Sequence, residues 1–78
     1  MKLIHFLESL GTRLTADQVD SVRELIVHGE EGIGLEDICV NLCEGEQLLE
    51  GDSAEKLKSL CGRYGVTDDY WKMAVKTS

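Results

Sequence analysis

Between Gly29 and Glu44 the chain carries the pattern that most limits its fold. Leu35, Ile38, Cys39, Leu42 and Cys43 recur at i, i+3, i+4, i+7 and i+8, the spacing of one apolar stripe along a helix. Glu36, Asp37, Asn41 and Glu44 fall off that stripe, so the same helix turns an acidic face to water. The chain has no proline, and no run alternates apolar with polar residues as a half-buried strand would. The pattern predicts an all-α protein.

The other segments read the same way. Leu3, Phe6, Leu7 and Leu10 place a short first helix at residues 2–10, ended by Gly11. Thr15 and Gln18 have the spacing of a capping box. The helix they open runs to about His28, with Val19, Val22, Leu25 and Ile26 as its apolar stripe and Gly29 as its stop. Three glycines between Gly29 and Gly34 predict a turn, so the third helix is expected to start near Gly34 or Leu35 and fade at Gly45. Leu48 and Leu49 anchor the connector from Gly45 to Gly51. Asp52 or Ser53 is the expected cap of a fourth helix, with Ala54, Leu57, Leu60, Cys61 and Tyr64 facing inward. Thr67 is expected to cap a last short helix, on which Trp71 seals the core. With 78 residues, the expectation is a single-domain bundle of four to five short helices over 1–78. A chain this small buries only about 60% of its unfolded surface, so its stability is marginal.

Charge is distributed unevenly. The net charge is −7, yet residues 30–52 alone hold eight carboxylates and no Lys or Arg, so the remainder sums to +1. Such a field argues against direct contact with nucleic acid or an anionic membrane, and for a basic partner. No apolar run approaches the roughly 20 residues of a membrane span. The N-terminus meets charge too soon for a signal peptide. The odd number of cysteines (three) is expected to be reduced, in a cytoplasmic protein.

Several chemistries compete for the remaining signals. His5, His28, Cys39, Cys43 and Cys61 could in principle ligate a metal, but Cys39 and Cys43 sit i, i+4 within the apolar stripe rather than as a Cys-x2-Cys pair, so packing is the expectation and no metal or cofactor is expected. Core-facing thiols in an acidic protein make poor nucleophiles. No glycine loop with a lysine is available to cradle phosphate. An enzyme is not expected. The Gly51-Asp52-Ser53-Ala54 run superficially resembles the prosthetic-group site of acyl carrier proteins. Ser53 comes late for that role, and a Ser after Asp before a helix is first a cap.

What remains is an acidic binding module. Glu30, Glu31, Glu36, Asp37, Glu44 and Glu46 are the expected contacts, each meeting a Lys or Arg of the partner. Glu36 and Asp37 also have a structural reading. In the first turn of a helix starting near Gly34, each would contribute about 0.3–1 kcal/mol through the helix dipole. The alternative to an inhibitory module is an acidic helical adaptor for some other protein.

The stretch Gly29-Glu30-Glu31-Gly32-Ile33-Gly34-Leu35-Glu36-Asp37-Ile38-Cys39, continuing through Leu42 and Glu44, resembles the MafI-type immunity proteins of polymorphic and contact-dependent growth inhibition systems (CdiI-like proteins). Tyr64-Gly65-Val66 and Tyr70-Trp71 are similar to that family's closing element. The resemblance covers about residues 20–72. Glu31 stands where the family often has Pro, Gly34 where Ala is usual and Cys43 where an aromatic is common. The resemblance implies an antitoxin that binds the cognate toxin's C-terminal nuclease domain, an EndoU-like RNase, as a heterodimer.

Overall fold

The computed structural model describes residues 2–76; Met1, Thr77 and Ser78, which the single-domain reading includes, lie outside the described residues. Five helices follow one another: α1 (Leu3–Ser9), α2 (Ala16–Val27), α3 (Glu31–Glu44), α4 (Asp52–Arg63) and α5 (Asp68–Met73). A single 3-10 turn, Gly11–Arg13, joins α1 to α2. The protein is all-α, with no strand among the described residues. One two-residue bridge departs from helix. Leu49 N–H donates to the Ala74 carbonyl at 2.9 Å and Lys76 N–H donates to the Leu49 carbonyl at 2.8 Å, which ties the α3–α4 connector to the chain after α5.

The starts and stops follow from local chemistry. At α2 the capping box forms: Gln18 N–H donates to Thr15 Oγ1 at 3.1 Å and Thr15 N–H donates to Gln18 Oε1 at 2.9 Å. The same helix ends on Gly29 at φ +79°, which lets Glu30 N–H reach the Leu25 carbonyl and Gly29 N–H reach that of Ile26. Gly65, at φ +71°, ends α4 in the same way, with Val66 N–H on the Cys61 carbonyl.

The stop of α3 falls at Gly45, as expected, but the left-handed residue beside it is not a glycine. Gly45 keeps a right-handed conformation as its C-cap, and Glu46 takes the left-handed one at φ +56°. The two capping bonds are present, Glu46 N–H to Cys43 and Gln47 N–H to Leu42. A side chain in this conformation costs roughly 1–2 kcal/mol. Glu46→Gly is therefore expected to raise stability by about 0.5–1 kcal/mol after glycine's larger unfolded-state entropy is subtracted, read as a higher urea midpoint.

The start of α3 is also earlier than the sequence predicts. The stop at Gly29 releases the chain directly into a new helix, with Glu30 as N-cap and Glu31 as its first residue. Glu36 and Asp37 thus lie in the second turn, beyond reach of the dipole role, and only Glu31 is acidic in the first. Gly34 sits inside the helix, buried against α2. A Cβ there would meet Val22 Cγ1 at 3.5 Å and Ile26 Cγ1 at 3.7 Å, ordinary contact distances. Gly34→Ala is expected to stabilise the fold by about 1 kcal/mol, through helix propensity and filled space, shown by a thermal midpoint several degrees higher.

Other local expectations need correction. The N-cap of α4 is Gly51, at φ +63°, so Asp52 and Ser53 are its first helical residues and no side chain caps it. Thr67 does hold the N-cap of α5, but its side chain makes no capping bond; its carbonyl accepts from Tyr70 N–H instead. Tyr64 lies exposed at the C-cap of α4 rather than in the core, and Cys43 is half-buried at the edge of its stripe.

The centre of the bundle is α3, which packs on α2, α4 and α5, while α1 lies on α2. Leu35, Ile38, Cys39 and Leu42 of α3 are completely buried, among Phe6 and Leu7 of α1, Val22 of α2 and Leu57 of α4. Leu49 is buried as the connector's anchor, and Trp71 packs half-buried on the core edge with its indole N–H donating to Asp68 Oδ1 at 3.0 Å.

Candidate functional site on the outward face of the third helix

At about 100° per residue, α3 divides its side chains into two lines. Glu31, Leu35, Ile38 and Leu42 follow one line at i, i+4, i+7 and i+11. Three of these are core residues and Glu31, at the helix start, is half-buried. On the opposite side Ile33, Glu36, Asp37, Val40 and Glu44 stand at i, i+3, i+4, i+7 and i+11. This second line carries the candidate site.

The six carboxylates expected to contact a partner are thereby separated. Glu36, Asp37 and Glu44 share the outward line, the first two half-buried and the last exposed. Glu30 is exposed at the same end as Ile33, in the N-cap position. Glu31 starts the core-facing line. Glu46 lies past the C-terminus, on the strained left-handed residue.

None of these six makes an ion pair or a side-chain hydrogen bond among the described residues. The ion pairs lie elsewhere: Arg23 with Glu8 at 3.9 Å and Asp20 at 3.8 Å, His28 with Glu24 at 3.3 Å, and Lys76 with Glu50 at 3.7 Å. Glu50 is thus partly neutralised, although it belongs to the acidic segment. Glu44 and Glu46 stand at the C-terminal, negative end of the α3 dipole, where a carboxylate costs about 0.3–1 kcal/mol. Their placement works against stability.

Ile33 and Val40 escaped the sequence reading of contacts. Ile33 is 50% exposed and Val40 half-buried, seven residues apart on the outward line. Their signal was the i+7 spacing, hidden while the helix was expected to start after Ile33.

The thiols are placed for packing. Cys39 and Cys61 are completely buried on facing helices. The Cys39 pKa is pushed up, first by its hydrogen bond to Cys61, then by burial, with the Cys61 and Glu36 charges adding to the rise. A thiol that keeps its proton in the fold but loses it on unfolding stabilises fully only below its ordinary value of 9.0. Above that pH the unfolded state binds fewer protons than the folded one, so stability falls as pH rises. Cys61, whose hydrogen bond to Cys39 pulls its own pKa down, gives up the pair's other proton, so one proton is retained in the fold; urea midpoints are expected to fall between about pH 9 and 10, and less steeply in Cys39→Ala.

No group of three or more His, Cys, Asp or Glu able to hold a metal is found among the described residues. None of their helices is long and apolar enough to cross a membrane. The open grooves lie away from the acidic line. One between α4 and α5 is bordered by Glu50, Asp52, Glu55, Lys58, Lys76 and Trp71, with Lys58 Nζ 5.3 Å from the Trp71 ring centroid.

No family model, curated protein or solved structure matches this chain.

Proposed function

We propose that the chain is a protein-binding module that neutralises a basic partner, and that this partner is the C-terminal nuclease domain of a polymorphic toxin. One observation carries the first half: Glu36, Asp37 and Glu44 line the outward side of α3 without a cation to pair with among the described residues. Carboxylates left unpaired on one helix face are available to Lys and Arg of a partner, and a single-sign surface speeds encounter and excludes acidic competitors. Glu44 and Glu46, set against the helix dipole, support the same reading, because stability alone would not place them there.

The second half rests on the resemblance to MafI-type immunity proteins. Two placements agree with it. Glu31 occupies the first helical position, which proline favours, and proline is frequent there in that family. Gly34 has room for the methyl group of the alanine usual in the family. In this reading the protein meets a cationic RNase surface in the cytoplasm of the producing cell, as a heterodimer, without touching RNA and without chemistry of its own.

The test is coexpression with the product of the neighbouring reading frame. The expected result is a one-to-one complex that survives purification at low salt and weakens as salt is raised. Failure to co-purify at low salt would reject the toxin partner. A different basic protein bound through the same helix would favour the adaptor reading.

A further inference from the structure

The outward line of α3 is not only acidic. Ile33 and Val40 lie within it, with Glu36 and Asp37 between them and Glu44 a turn beyond. Isolated exposed aliphatic residues are common on protein surfaces. These two share a single line with three unpaired carboxylates, and a purely electrostatic contact would need neither. From Ile33 to Glu44 the line is roughly 16 Å long at about 1.5 Å per residue, some three turns of a facing helix.

We propose that this line is a docking ridge for one basic amphipathic helix of the partner, with Ile33 and Val40 as its apolar anchors. The proposal rests on the reading above that the partner is basic, and it adds the element that docks and the residues that hold it. A facing helix would lay an aliphatic row against Ile33 and Val40 and bring Lys or Arg on either side to Glu36, Asp37 and Glu44. Charge selects this occupant. A second copy of the chain would bring two rows of carboxylates together, and an acidic helix would do the same. The two kinds of residue have separate roles. Buried aliphatic contacts at an interface centre slow dissociation, whereas exposed charges chiefly set the association rate and its salt dependence.

The probe is a 14-residue helical peptide with leucines on one face and lysines on both flanks, added to the intact protein at low salt. A matched peptide with glutamate for lysine is the control. The basic peptide is expected to shift the Ile33 and Val40 methyl resonances, and the acidic one to leave them unmoved. Ile33→Ser and Val40→Ser are expected to weaken the basic peptide at least tenfold through faster dissociation, while circular dichroism stays that of the wild type. Absence of binding, shifts confined to α1 or α4, or equal affinity in the serine variants would each overturn the proposal. A salt-induced dimer lost in Ile33→Ser would overturn it too, naming a second copy as the occupant. The neighbouring toxin domain separates the two readings. If the wild type fails to bind that domain, the toxin reading falls whatever the peptide does. If the serine variants bind it as tightly as the wild type does, only the ridge proposal falls.

Discussion

Leu42→Ala is expected to remove a large share of the stability of the fold. Leu42 is fully buried on α3, which packs on α2, α4 and α5, so its loss opens a cavity at the centre of the bundle. Truncating such a leucine costs about 2–5 kcal/mol. A domain of this size has roughly 4–12 kcal/mol in total at about 0.05–0.15 kcal/mol per residue. Each kcal/mol corresponds to roughly 4–8 °C in a small domain, so the thermal midpoint by circular dichroism should fall by some 10–30 °C. Leu57→Ala, equally buried on α4, should behave alike. A midpoint within a few degrees of wild type would mean that α3 is not the centre of the core.

The second large effect falls on binding and spares the fold. Replacing Glu36, Asp37 and Glu44 together by lysine is expected to reduce affinity for the basic partner at least a hundredfold. Three attractions become three repulsions, and opposed like charges at an interface cost several kcal/mol. Stability should move little, because none of the three has an ion-pair partner among the described residues to lose. Lysine at position 44 should even gain slightly from the helix dipole. The same exchange at Asp17, Asp20 and Glu24, on the outer side of α2, is the control and should leave binding nearly intact. Isothermal titration against the partner domain, with thermal melts of each variant, separates the two consequences.

Much of the fold can be read directly from residue types. The stripe from Leu35 to Cys43, the Thr15–Gln18 cap and the stops at Gly11 and Gly29 each act within a turn or two of chain, where local chemistry decides. What stayed hidden was decided by contacts across the chain. Three glycines around Glu30 read as a loop, yet the helix runs through Gly32 and Gly34 because Gly34 lies against Val22 and Ile26 of α2. Glu46 takes a conformation that sequence assigns to glycine. Leu49 and Val75 pair across 26 positions. The candidate site was legible by type and less so by grouping. The six carboxylates were visible as a cluster, but the earlier helix start puts Glu31 on the core-facing line, removes Glu36 and Asp37 from the first turn and brings Ile33 onto the outward face.

Zero-length carbodiimide cross-linking of the complex tests the central claim most directly, because it joins a carboxylate only to an amine already in contact with it. The account expects Glu36, Asp37 or Glu44 to be joined to lysines of the partner. Cross-links found only at Glu8, Asp17, Asp20 or Glu24, with the α3 carboxylates untouched, would contradict it.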